Sequence, residues 1–224
     1  MTIGIFTAME KEAASFLKHT RYSKIKSGAF DIYRFILGAH NAVLCCPPSV
    51  GEIAAASACQ LLITKYKVDL ILNFGVVGSL TDDVALLRTV YVGDVVHYDM
   101  DTSSIDGCGV GRYMCFDDIN VQCDFDILNK AMSVQKLPVV RCASADKFVS
   151  VPEQKSALNV NFGAEICDME SAGILFSCKF NNIPCLLVKC VSDSLTGGSG
   201  EYSQNAVRAA SEFFDFAQKL VAVL

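Results

Sequence analysis

The chain has 224 residues, 52% of them hydrophobic, and a formal net charge of -5 at pH 7. This length suits one compact domain with a large core, and the acidic balance argues against nucleic acid, which needs a concentrated basic surface. No apolar run reaches the roughly 20 residues that cross a bilayer, and the N-terminus lacks the basic region and cleavage site of a signal peptide. We therefore predict a cytoplasmic protein that binds neither nucleic acid nor membrane.

The first half of the chain predicts strands that alternate with helices. A short apolar run at 3–7 predicts a strand, and the spacing of Ala13, Phe16 and Leu17 predicts a helix over 9–19. Further strands are predicted at 30–37, 41–46, 68–74 and 90–97, and a helix from about 51 to 65. The Gly75-x-x-Gly78 motif is interpreted as a tight turn, with close approach of the backbone to a ligand as the alternative.

The second half continues the alternation after a long polar stretch. Residues 99–122 are rich in Asp, Ser, Gly and Cys and predict a long surface loop or a segment that closes over a site. Helices are then predicted at 125–134, 152–158, 169–180 and 202–224, and strands at 138–144, 164–168 and 184–191. The strands are almost entirely apolar, so we predict an α/β fold: a single domain over residues 1–224 whose central sheet, mixed but mostly parallel, is flanked by helices.

The eleven cysteines are predicted to be reduced and buried. Their number is odd, most lie inside apolar runs, and no pair has the C-x-x-C spacing of zinc or redox sites. The three histidines are far apart in the sequence. We therefore expect no disulfide framework, no structural zinc site, and neither a metal nor an organic cofactor.

Several chemistries are disfavoured because their motifs are missing. No G-x-G-x-x-G opens the first helix, there is no P-loop, and no serine lies in a G-x-S-x-G elbow. Cysteine–histidine catalysis stays open in principle, but nothing distinguishes one cysteine from the others. A nucleophilic enzyme is therefore not favoured.

Three carboxylates follow predicted strands: Glu12, Glu170 and Asp193. Open α/β sheets bind ligands at the carboxyl ends of their strands, so these side chains are placed where a site is expected. Each residue alone could serve only its own helix terminus or turn. Together they predict a hydrolytic or group-transfer site.

A series of segments, in chain order, carries a resemblance to a known family. They are Ile3-Gly4-Ile5-x-x-Ala8-Met9-x-x-Glu12, Ser49-Val50-Gly51-x-x-Ala54-Ala55, Asn73-x-Gly75-x-x-Gly78, Val92-Gly93-Asp94-Val95-Val96, Ser144-Ala145-Asp146-x-Phe148-Val149, Asp168-Met169-Glu170-Ser171-Ala172 and Val191-Ser192-Asp193. The chain thus resembles the 5′-methylthioadenosine/S-adenosylhomocysteine nucleosidases of the purine-nucleoside phosphorylase superfamily. This resemblance implies a nucleoside phosphorylase-like fold, a homodimer in methionine salvage, and hydrolysis of 5′-modified adenine nucleosides to adenine and a thioribose.

The resemblance also implies residue roles. Asp193 matches the general acid that protonates N7 of adenine, and Glu12 matches the carboxylate that activates the attacking water. Glu170 matches the residue that binds the ribose hydroxyls, with Met169 beneath the sugar. The other implied substrate-binding residues are Met9, Val50, Val76, Phe148, Val149, Lys189, Ser192 and Tyr202. These two roles suit cleavage of an N-glycosidic bond. Its oxocarbenium-like transition state needs an acid at the leaving group and a carboxylate that holds water on the opposite face of the sugar.

Some positions depart from the family pattern. Lys189 stands where the family usually has arginine, Val76-Val77 replaces a smaller and more polar pair, and Ala145 replaces glycine. Hydrolysis is favoured because Glu12 and Asn73-Phe74-Gly75 stand where the phosphorylases bind phosphate with arginine. The alternatives are a futalosine-type or other nucleoside hydrolase, then a phosphate-dependent nucleoside phosphorylase, and finally a nucleoside-binding protein without catalysis.

Overall fold

The computed structural model describes all 224 residues. Its strands are β1 (Thr2–Phe6), β2 (Ser23–Ser27), β3 (Phe30–Leu37), β4 (His40–Cys46), β5 (Leu70–Ser79), β6 (Thr89–His97), β7 (Val121–Gln122), β8 (Val139–Ser144), β9 (Ile166–Asp168) and β10 (Cys185–Asp193). Its helices are α1 (Glu10–Leu17), α2 (Glu52–Tyr66), α3 (Ser103–Asp106), α4 (Phe125–Val134), α5 (Pro152–Phe162), α6 (Ser171–Phe180), α7 (Ser199–Ala209) and α8 (Phe213–Val221).

The strands form one sheet, part of which closes on itself. The order is β10-β6-β8-β9-β5-β1-β4-β3-β2, with β7 paired to β6, and β10 also pairs with β5. Strands β10, β6, β8, β9 and β5 therefore form a closed ring, from which β1, β4, β3 and β2 continue as an open sheet. The predicted α/β fold with a mixed sheet is confirmed. Five of the ten pairings are parallel. The other five are antiparallel: the two of the β2–β3–β4 meander and those of β9 with β5, β10 with β6 and β7 with β6.

Helices cover both faces of the sheet. Apolar residues of α2 and α6 pack on one face, and those of α1, α4 and α8 pack on the other. Phe74 of β5 meets the rings of Phe16 in α1 and Phe213 in α8 at centroid distances of 5.2 and 5.5 Å. Strand β10 is buried along its whole length, as its continuous apolar run predicts for a strand covered on both faces. None of the helices combines the length and apolar character needed to span a bilayer.

The tight-turn interpretation of Gly75-x-x-Gly78 is wrong. Both glycines lie inside β5, which continues to Ser79. A Cβ atom at Gly78 would lie 2.9 Å from Asp193 Oδ2, and one at Gly75 would lie 3.3 Å from Lys189 Nζ. The glycines therefore leave room for two buried side chains of the adjoining strand β10.

Other differences concern elements with weak sequence signals. Strand β2 was not predicted because its residues are mostly exposed and polar, and it pairs only along β3. The predicted helix at 202–224 is two helices, because α7 packs beside β10 while α8 packs against α1 and α4. Of the eleven cysteines, only Cys108 and Cys115 are not buried, and all are unpaired.

Candidate active site

A cavity of about 280 Å³ lies where β5, β9 and β10 end. It is lined by Met9, Glu12, Val50, Val76, Val77, Gly78, Phe148, Cys167, Asp168, Met169, Glu170, Ser192, Asp193 and Tyr202. The lining thus contains four carboxylates, all of them buried, and neither a lysine nor an arginine. The structure therefore brings together all the site residues expected from the sequence except Val149 and Lys189.

Those two residues do not line the cavity. Val149 is buried in a small apolar cluster that includes Leu80 and Val96. Lys189 is also buried, and its ammonium donates a 2.6 Å hydrogen bond to Asp168 Oδ2. Asp168, which was not among the expected site residues, is the member of this ion pair that lines the cavity.

Glu12 is held by backbone amides. It is the third residue of α1, and its side chain turns back so that Oε2 accepts hydrogen bonds from the N–H groups of Ala8 and Met9 at 2.9 and 3.1 Å. Its Oε1 accepts a third bond, 3.0 Å long, from the Val76 N–H in β5. Burial raises the pKa of Glu12, and these hydrogen bonds and the charge of Lys189 oppose the rise. A positioned carboxylate with a raised pKa is suited to accept a proton from water.

Asp193 ends β10 and reaches the cavity through an irregularity in the strand. The pairing of β10 with β5 shifts register between Val191 and Asp193, which places Asp193 opposite Gly78. Such bulges re-aim side chains near active sites. Asp193 Oδ2 accepts a 2.6 Å hydrogen bond from the ammonium of Lys155, and the Ser192 hydroxyl lies 2.9 Å from Oδ1.

The two expected catalytic residues both adjoin strand β5. Glu12 bonds to Val76, and Asp193 lies opposite Gly78, two residues further along the same strand. These two positions are about 7 Å apart at the usual rise of a strand. Glu12 and Asp193 therefore approach the cavity from separate points along one strand.

Glu170 lies at the junction of β9 and α6, beside the N-terminus of α2. Its Oε1 accepts a 3.0 Å hydrogen bond from the N–H of Gly51, whose φ of 110° requires glycine. Burial and then the charge of Asp168 raise the pKa of Glu170 to about 7, while Lys189 opposes the rise. Near neutral pH this carboxyl group can either donate to or accept from a hydroxyl.

A buried network below the cavity contains a second carboxyl group with a strongly raised pKa. The Ser144 hydroxyl lies 2.6 Å from Asp168 Oδ1 and is also hydrogen-bonded to Glu52 Oε1. One hydroxyl proton cannot serve two carboxylates, and burial together with Asp168 raises the pKa of Glu52 to about 8. We therefore assign the protonated form to Glu52 at neutral pH: it donates to Ser144, and Ser144 donates to Asp168.

This assignment predicts the effect of Glu52→Gln on stability. The folded protein holds a proton on Glu52 that the unfolded chain releases near its ordinary pKa of 4.5, so native Glu52 makes the free energy of unfolding fall as pH rises towards 8. Glutamine mimics the protonated acid and removes that loss. Urea denaturation should show the variant to be more stable than the native protein at pH 8, with the difference shrinking at pH 5. An equal difference at both pH values would contradict the assignment.

Aromatic and sulfur-containing side chains surround the mouth of the cavity. The rings of Phe148 and Tyr202 meet edge to face with centroids 5.4 Å apart. The Tyr202 hydroxyl lies 3.0 Å from Met9 Sδ and accepts a 2.8 Å hydrogen bond from Lys11. These contacts join α7 to the start of α1 across the opening, and they present apolar surface to a planar ligand.

The chain is similar in sequence to known proteins. A family model described as the phosphorylase superfamily matches residues 2–222. The chain is 30% identical over 212 residues to a 5′-methylthioadenosine/S-adenosylhomocysteine nucleosidase of Staphylococcus aureus, covering 91% of each chain. It is 24% identical over 199 residues to an aminodeoxyfutalosine nucleosidase of Campylobacter jejuni, covering 86% of each.

The fold also matches solved structures. Futalosine hydrolase of Helicobacter pylori superposes with a TM-score of 0.93 at 22% identity, and the match covers 100% of this chain and 98% of that one. At this level of identity, the match reports on the fold alone.

Proposed function

Because the chain belongs to the phosphorylase superfamily and, within it, to the 5′-methylthioadenosine/S-adenosylhomocysteine nucleosidases, we propose that it hydrolyses the N-glycosidic bond of 5′-modified adenine nucleosides. The proposed substrates are methylthioadenosine and S-adenosylhomocysteine, and the products are adenine and a thioribose. One observation carries the proposal: Glu12 and Asp193 face one cavity from two points along β5, and no lysine or arginine lines it.

The proposed mechanism divides the work between these two carboxyl groups. Asp193 gives its proton to N7 of the adenine, so that the base leaves as a neutral molecule. Glu12 accepts a proton from the water that attacks the anomeric carbon, and the backbone amides that hold Glu12 fix its position. Glu170 binds the ribose hydroxyls over Met169, while Phe148 stacks on the base and the Val149 backbone pairs with the edge of the base. Positive charge that develops on the sugar is stabilised by the surrounding carboxylates.

The charge of the lining favours water over phosphate as the nucleophile. Four carboxylates line the cavity, and two buried lysines, Lys155 and Lys189, are each bonded to one of them, while Lys11 donates its hydrogen bond to the Tyr202 hydroxyl at the mouth. A phosphate dianion inside the cavity would meet like charges in a lining that contains no lysine or arginine, which is unfavourable. The structure therefore supports a nucleosidase over a phosphorylase.

A charged groove next to the cavity bears on the 5′-group. Met9 and Val50 belong to both surfaces, and the groove is also lined by Glu10, Lys26 and Asp31. A 5′-arm that carries charged groups could extend along it, as the amino-acid end of S-adenosylhomocysteine would. Futalosine-type nucleosides, which carry a different 5′-arm, are the second candidate substrates, because that arm would extend along the same groove. As part of the same proposal, we expect a cytoplasmic homodimer in methionine salvage.

The test is base release from a nucleoside panel with and without phosphate. We expect adenine and free 5′-thioribose from methylthioadenosine, at a rate that added phosphate does not increase. The panel contains methylthioadenosine, S-adenosylhomocysteine, aminodeoxyfutalosine, futalosine, adenosine and inosine. Formation of a sugar-1-phosphate only when phosphate is present would overturn the hydrolase proposal, and preferred turnover of futalosine-type nucleosides would replace the proposed substrates.

A further inference from the structure

Lys155 is a fully buried lysine directly behind the proposed general acid. Its relative exposure is 0%, although lysine is among the residues least often buried. The ammonium donates three hydrogen bonds: to Asp193 Oδ2 at 2.6 Å, to the Ser194 carbonyl at 2.6 Å and to the Gly197 carbonyl at 3.2 Å. All three of its protons are thus engaged, and none is left to contact a ligand.

We propose that Lys155 is a positioning residue for acid catalysis by Asp193, an inference that rests on the proposed function. Because the ammonium occupies Oδ2, Oδ1, which is next to the Ser192 hydroxyl, is the oxygen from which Asp193 delivers the proton when it acts as the acid. When that proton moves to the base, the Oδ1–H bond breaks and an N–H bond forms. Lys155 keeps its own proton, and its charge stabilises the carboxylate that is left behind.

The two carbonyl contacts give Lys155 a second positioning effect. Residues 194–198 connect Asp193 to α7, the helix that carries Tyr202. Lys155 fixes both ends of this turn through Ser194 and Gly197, and Glu201 holds it from the other side by accepting a 2.8 Å bond from the Ser194 N–H. Helix α5, which contains Lys155, begins at Pro152, shortly after Phe148 and Val149. Lys155 therefore connects the segment expected to bind the base with Asp193.

The test compares leaving groups that do and do not need a proton. Lys155→Met should lower kcat for methylthioadenosine by at least about 10-fold, a part of the 10²- to 10⁴-fold that a positioned acid contributes, with a smaller change in KM. The same variant should cleave a 4-nitrophenyl riboside with the same 5′-group at a rate close to the native one, because nitrophenolate leaves without protonation. Both substrates are measured with the full chain.

A matched control separates this role from general loss of structure. Lys189→Met removes an equally buried lysine that is paired to Asp168 instead, and it should lower the rates for both substrates alike. If Lys155→Met does not fold, Lys155→Gln takes its place with the same expected pattern. Equal losses on both substrates, or no loss on either, would overturn the positioning role. Failure of the native protein to cleave any nucleoside would instead count against the proposed function.

Discussion

Asp193→Asn is expected to lower kcat for methylthioadenosine by about 10²- to 10⁴-fold, the usual contribution of a positioned proton donor. Asparagine has nearly the same shape, and its amide oxygen can still accept the hydrogen bond from Lys155. Its amide cannot supply a proton of comparable acidity to N7 of the base. KM should therefore change much less than kcat, and adenine release followed by ultraviolet absorbance is the measurement.

In Asp193→Asn the buried ammonium of Lys155 loses its counterion. The thermal stability of the variant is therefore measured as a control. Removing one partner of a buried pair generally destabilises a protein, so assays are run well below the unfolding transition. Activity of Asp193→Asn within a few-fold of the native rate would remove Asp193 from the acid role.

Glu12→Gln is the second change with a large expected effect, again about 10²- to 10⁴-fold in kcat. An amide cannot accept a proton from the attacking water. Native activity should rise with pH as Glu12 loses its proton, and the midpoint should lie above the ordinary value of 4.5, because burial raises the pKa of this residue. The pH dependence of kcat is the measurement.

Substrate binding distinguishes a catalytic loss from a structural one in Glu12→Gln. Glutamine presents an NH₂ group to one of the backbone N–H donors that now face Glu12, so some stability is lost. Calorimetric titration of the variant with methylthioadenosine should still show binding. A variant that binds the substrate and hydrolyses it at the native rate would exclude Glu12 as the base.

The residues that line the cavity could be predicted largely because they occur in short segments at the ends of strands. Glu12, Glu170 and Asp193 each follow an apolar run, and such runs identify buried strands without any knowledge of their partners. Asp168 ends the predicted strand at 164–168, but its ion pair with Lys189 depends on contacts between strands that are distant in sequence. Lys155 carried no comparable signal, because it lies in a mostly polar helix, where a lysine is ordinarily solvated.

The closure of the sheet could not be predicted for a related reason. Hydrophobic patterns indicate where strands are, but the pairing of β10 with β6 and of β9 with β5 joins segments that are distant in sequence. Strand β9 has only three residues, too few for a periodic pattern. The position of Gly75 and Gly78 inside β5 depends on the same contacts, because these glycines are required by side chains of a neighbouring strand.

Closure of the ring also affects how the protein avoids aggregation. An open sheet exposes two edges, whose free N–H and C=O groups can pair with strands of other molecules. Here β10 is paired on both sides, so apart from the two-residue β7 the open edge is β2. Its exposed Lys24 and Lys26 both form ion pairs with Asp31 on β3, and charges on an edge strand disfavour further strand addition. The fold thereby concentrates its protection against edge-to-edge association in one short, positively charged strand.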